Sequence, residues 1–96
     1  MGQPQEIGKI ISKILKNSGI EKGMKERQAV LIWERVVGKE IALHAKAVKA
    51  EDSNLMVRVT NPVWRSEILL MKGRILEELN RSLEGEVIKN IIVVGK

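Results

Sequence analysis

Leu55-Met56-Val57-Arg58-Val59-Thr60-Asn61-Pro62-Val63-Trp64 decides the fold, because its hydrophobic period changes partway along. Leu55, Val57 and Val59 alternate with Met56, Arg58 and Thr60, the two-residue period of a half-buried strand. Asn61-Pro62 then closes the strand. Proline offers no N–H to a sheet ladder, and Asn followed by Pro suits the N-cap and first position of a helix. From there the period is helical, with Trp64, Ile68, Met71, Ile75 and Leu79 on one stripe and Leu69, Leu76 and Leu83 on its flank. The other side pairs Arg74 with Glu78 and Glu77 with Arg81 at i, i+4, a solvated pattern. Gly85 is the expected stop, and Val87 to Val94 reads as a mostly apolar strand.

Working upstream, Lys46 to Ala50 reads as a short strand joined to Leu55–Thr60 through a turn at Glu51-Asp52-Ser53-Asn54. Its phase is open between Ala45/Ala47 and Val48/Ala50 as the inward pair. Before it, Val30, Trp33 and Val37 share a helical face, which Ile41 and His44 continue at the same spacing. The pattern predicts one helix from about Met24 to about Leu43. Gly38 is then either a C-terminal cap or an internal glycine where another backbone comes close, at a cost of about 1 kcal/mol in helix propensity. Further upstream, Ile7, Ile10, Ile11, Ile14 and Leu15 form a one-sided helix within residues 4–22, opened by Pro4 and closed by Asn17-Ser18-Gly19. Its opposite face carries Lys9, Lys13 and Lys16, with Glu6 the only acid nearby.

The expected order is α-α-β-β-α-β. A helix between the second and third strands is a crossover and must lie on one sheet face. The prediction is therefore an α+β fold, a three-stranded sheet covered on one face by helices, forming a single domain over residues 1–96.

Composition narrows the function. In a chain of 96 residues, 44% hydrophobic and 30% charged, there is enough apolar material for one modest core. Cysteine is absent, which excludes disulfides and thiolate metal sites, and the single His44 cannot build a zinc centre. No triad spacing, dinucleotide fingerprint or phosphate loop occurs, so no enzyme, cofactor or small-molecule substrate is expected. No apolar run reaches the roughly 20 residues of a membrane span, and no secretory leader precedes the domain, so a cytoplasmic location is expected. The net charge of +5 favours polyanions.

Trp33 and Trp64 are the only aromatic residues, so they alone can supply a large flat ring for packing or recognition. An RRM stacks bases on sheet aromatics, and none falls on these strands. A KH domain suits the element order, but its Gly-x-x-Gly clamp is missing. Met71-Lys72-Gly73-Arg74 is the nearest stretch, with one glycine inside a helical pattern.

Trp33-x-x-Val36-Val37-Gly38-x-x-Ile41-Ala42-x-His44, then Leu55-x-Val57-x-Val59-x-x-Pro62-x-Trp64, then Ile75-x-x-x-Leu79-Asn80 and the strand from Val87 together resemble the DciA family. The likeness spans residues 24–95 as the family core. No one motif is sharp; the ordered combination is what carries it. The resemblance implies a KH-like fold, type II-like in outline, and a role in DNA replication. Proteins of that family bind the DnaB-type replicative helicase, assist its loading and bind DNA, which would associate this chain with the nucleoid. Trp33, Gly38 and Trp64 match the family pattern.

Trp33 and Gly38 are accordingly expected to be structural. Trp64 and Arg65 are the candidate border of a helicase-docking surface, since Trp and Arg dominate protein hot spots. Lys9, Lys13 and Lys16 are candidate nucleic-acid contacts, extended by Lys49 and Arg58 on the outer sheet face. The alternative is a KH-like nucleic-acid binder, of DNA or RNA, with no helicase partner.

Overall fold

The structure, a computed structural model, describes residues 19–95. The expected first helix, with Lys9, Lys13 and Lys16, lies outside the described residues. Helix α1 spans Ile20–Val37, starting four residues before the expected Met24. Gly19, at φ 80°, precedes it and offers no side-chain cap.

The helix does not continue to Leu43. Gly38 adopts φ 94° and ψ 161°, a region open essentially to glycine alone, and a separate short helix α2 follows at Lys39–His44. No atom lies within 4 Å of the place a Gly38 Cβ would occupy, so a close backbone approach does not describe it; Gly38 is the C-terminal cap of α1, its amide donating to the Glu34 carbonyl at 2.8 Å. The break serves Trp33. Its Nε1–H donates to the Ala45 carbonyl at 2.9 Å. In a straight helix those two residues would stand about 18 Å apart along the axis. Breaking at Gly38 folds the chain back so that β1 begins beside α1.

Strand β1 is Ala45–Glu51 and β2 is Asn54–Val59. Asp52 and Ser53 alone form the turn, both with positive φ, as the tight two-residue hairpin turn of type I′ demands. Asn61 caps the next helix as expected, its Oδ1 accepting the Trp64 amide at 3.0 Å with Pro62 in the first turn. The long crossover helix is two helices: α3 at Pro62–Leu70 and α4 at Lys72–Leu83, with Met71 between them at φ −91°, ψ 2°. The apolar stripe survives the kink, since Ile68, Ile75, Leu79 and Leu83 are all buried. Glu84 in left-handed geometry ends α4, one residue before the expected Gly85.

Strand β3 is Asn90–Gly95 and begins three residues later than Val87. The reason is Asn80. Its Oδ1 accepts the amides of Val87 and Ile88, at 3.1 and 2.9 Å, and its Nδ2 donates to the Ile88 carbonyl at 2.8 Å. Val87 and Ile88 are buried, yet their backbone groups are committed to this side chain and not to a ladder. The next two amides, of Lys89 and Asn90, both donate to the Ser53 carbonyl, which sets β3 beside β2.

The sheet order is β1-β2-β3, antiparallel between β1 and β2 and parallel between β2 and β3. Ala45, Leu55, Val57, Val59 and Ile91 face the helices, where Ala29, Ile32 and Trp33 of α1 and the buried stripe of α4 complete the core. This is the α+β arrangement anticipated, with a mixed three-stranded sheet, and it fits a KH-like outline.

Candidate nucleic-acid and partner interfaces

The sheet face turned away from the core carries the charge. Lys46 on β1 stands opposite Arg58 on β2, which in turn pairs with Val94 on β3. In the neighbouring row Lys49 stands opposite Met56, which pairs with Ile92. Lys46 and Lys49 are three residues apart, which in a regular strand puts them on opposite faces. The ladder shifts register between Ala47 and Lys49, a bulge at Val48 that resets the alternation. As a result Ala45, Ala47 and Ala50 all turn inward, while both lysines turn outward beside Arg58.

Lys49 and Arg58 thus lie on one surface, and Lys46, which sequence reasoning missed, lies on it too, directly opposite Arg58. The missed signal was a small-residue inward set, Ala45, Ala47 and Ala50, whose spacing fits no unbroken strand. Lys49 pairs with Glu51 at 3.6 Å, both well exposed, which leaves the lysine readily available to another anion. Among the described residues Lys46 and Arg58 have no carboxylate within ion-pairing distance, whereas Arg81 and Lys25 do. Like charges directly opposite one another destabilise a sheet, so this pair costs stability until an anion is present. No aromatic ring lies on this face, so it suits phosphate contact more than base stacking.

The second surface is α3. Of its nine residues only Ile68 is buried, while Val63 is 69% and Leu70 80% exposed. These two are seven apart and share a helix face. Trp64 is half-buried, and its ring stacks on His44 with centroids 4.6 Å apart and planes 8° apart. That stack pins the start of α3 to the end of α2. Arg65 is exposed and borders a shallow groove with Thr60, Pro62, Val94 and Gly95, at the end of the sheet. Helix α3 thus exposes Val63 and Leu70 on one face, with Trp64 about 100° and Arg65 about 200° around the helix from Val63. Trp33, in contrast, is 2% exposed in the core, and Gly38 shapes the joint between α1 and α2.

Among the described residues no group of His, Asp and Glu is placed to hold a metal ion, and no helix is long and apolar enough to cross a membrane.

Comparison with known proteins is consistent in one direction. The family model described as "Dna[CI] antecedent, DciA" matches residues 6–93. A UPF0232 protein of Bifidobacterium longum is 29% identical over 92 residues, covering 96% of this chain and 59% of its own length. UPF0232 proteins of Rhodococcus jostii and Mycobacterium tuberculosis are 27% and 25% identical, each over 96% of this chain and 49% of their own. The chain thus spans about half the length of the curated relatives it matches.

Proposed function

This chain belongs to the DciA family, and from that premise we propose that it is a non-enzymatic replication adaptor. It binds the DnaB-type replicative helicase on one surface and DNA on another, and so assists helicase loading. The observation that carries the DNA half is the unpaired Lys46–Arg58 juxtaposition with Lys49 in the next row. Three outward cations on one flat face, without aromatics, favour a sequence-tolerant and salt-sensitive grip on the phosphate backbone. The exposed Val63 and Leu70 of α3, with half-buried Trp64 and exposed Arg65 on other sides of the same helix, support a protein partner, since apolar side chains on a mostly unburied helix gain from being covered.

The test is a pull-down of the cognate helicase with the wild-type chain and with Val63→Glu/Leu70→Glu. Capture by the wild type and loss in the variant, with circular dichroism unchanged, supports the adaptor. Failure of the wild type to capture helicase, alongside nucleic-acid binding, leaves the KH-like binder without a helicase partner. A titration of single-stranded DNA against RNA of the same sequence then decides which polymer that binder takes.

A further inference from the structure

Among the described residues the sheet has two open edges, and their chemistry differs. Strand β1 carries Lys46 and Lys49 and is bulged at Val48, the features by which an edge strand discourages a further strand. Strand β3, Asn-Ile-Ile-Val-Val-Gly, has no charge and no proline, and its register with β2 runs unbroken from Asn90 to Gly95. It is rich in β-branched residues and carries none of those protections. The direction of its free backbone groups follows from the ladder. The Asn90 amide donates to the Ser53 carbonyl, towards β2. In a parallel ladder alternate residues bond to the same neighbour, so Ile92 and Val94 also turn their backbone groups to β2. Ile91, Val93 and Gly95 turn theirs to the open edge, where no described strand takes them up.

We propose that this edge pairs with β3 of a second copy of the chain, antiparallel about a two-fold axis at Val93. The strand is complementary to itself. Directly opposed residues of an antiparallel pair exchange both of their backbone bonds. With Val93 opposite Val93, Ile91 falls opposite Gly95, so each outward-turned residue meets another and about six bonds form. The same register sets Ile92 against Val94 of the second copy in the close, non-hydrogen-bonded position, a β-branched pair on the outer face. Opposed residues share a sheet face, so both copies keep their helices on one side of a continuous sheet. A slip of one residue would put the second copy's helices on the other side and its free amides out of reach. A neutral strand also gives a charged peptide no ion pair to make, which favours a strand of its own kind. The contact is small, below the roughly 1,200 Å² of a stable complex. Each copy carries a net charge of +5, so the dimer is weak, reversible and strengthened by salt. Pairing brings two Lys46–Arg58 rows onto one outer face, a consequence for DNA that rests on the proposed function, as the pairing itself does not.

Sedimentation velocity of the full chain, from micromolar to millimolar concentration, is the test. The wild type should pass from monomer to dimer, and added salt should shift it further to dimer. Ile92 is 37% exposed on the outer face, so Ile92→Lys charges the edge and leaves the core alone. It should weaken association at least tenfold while amide exchange in β2 stays as slow as in the wild type. The chain has no cysteine, so introduced thiols give a second readout. Ile92→Cys/Val94→Cys should form disulfide-linked dimers under mild oxidation, because the opposed positions have the spacing a disulfide needs. Val48→Cys, on the β1 edge, should cross-link at least tenfold more slowly. A monomer at every concentration would leave the β3 edge to a strand of another protein and overturn the proposal. A dimer indifferent to Ile92→Lys, equal cross-linking at the two edges, or growth beyond the dimer would overturn it too. Neither readout involves helicase or DNA, so both stand apart from the proposed function.

Discussion

Glu26 on α1 reaches the β1–β2 turn and accepts the Ser53 amide on its Oε2 at 2.7 Å, with only 7% of the residue exposed. The Ser53 carbonyl in turn receives the Lys89 and Asn90 amides, so one turn residue ties α1, the hairpin and the start of β3 together. Removing the acceptor leaves a buried N–H unsatisfied, which costs about 1–3 kcal/mol. Glu26→Ala should therefore lower the unfolding free energy measured in urea by that amount, and Glu26→Gln, which keeps an acceptor oxygen, should recover most of it. Equal losses in the two variants would mean that the carboxylate charge, not the acceptor, matters.

Gly38 gives a prediction whose sign is informative. At an internal helical glycine, alanine stabilises by about 1 kcal/mol through propensity and chain entropy. At φ 94°, ψ 161°, alanine is strained by about 1–3 kcal/mol, even though no neighbour crowds the added carbon. Gly38→Ala should thus lower the thermal midpoint, by about 4 °C or more in a domain of this size. A rise would mean that α1 and α2 form one continuous helix in solution.

These two residues also mark what could be read beforehand. The Leu55-Val57-Val59 strand and the Asn61-Pro62 helix start were legible because a single local rule fixes each: alternation in one case, capping chemistry in the other. Gly38 was not. Residues on either side of it keep a helical spacing, and only the long-range bond from Trp33 to Ala45 forces the break. Val87 and Ile88 look like strand because they are apolar, but Asn80 takes their backbone groups. The basic sheet face was half-visible for a related reason. Arg58 followed from the alternation of β2, whereas the side taken by Lys46 and Lys49 depends on a bulge that only pairing with β2 defines. Val63 and Leu70 fall outside the stripe that the helical period assigns to the core, and how exposed they are is a tertiary fact.

The basic row can be tested through counterion release. Each phosphate contact contributes about 0.7–0.9 to the slope of log K against log salt. Replacing Lys46, Lys49 and Arg58 together by Gln should flatten that slope by about 2–3 units and weaken binding to all sequences alike. All three side chains point away from the core, so stability should hold or rise slightly as the Lys46–Arg58 repulsion disappears. A slope unchanged from wild type would move the DNA contact off this face.

The two tryptophans should behave in opposite ways. Trp33 is enclosed by the core and donates the one hydrogen bond that folds the chain back at Gly38, so Trp33→Ala should cost about 3–5 kcal/mol. Trp33→Phe keeps a smaller aromatic ring while the Ala45 carbonyl loses its donor, so a loss intermediate between wild type and Trp33→Ala, of about 1–3 kcal/mol, is expected. Trp64 is half-buried and its stack on His44 contributes about 0.5–1.5 kcal/mol beyond the area it covers. Trp64→Ala should therefore leave a folded protein with a modestly lower urea midpoint, while helicase capture falls at least tenfold because α3 loses its anchor to α2. Full capture by a folded Trp64→Ala chain would confine that ring to packing and place the partner surface elsewhere. Equal destabilisation by Trp33→Ala and Trp64→Ala would contradict the burial difference from which the argument starts.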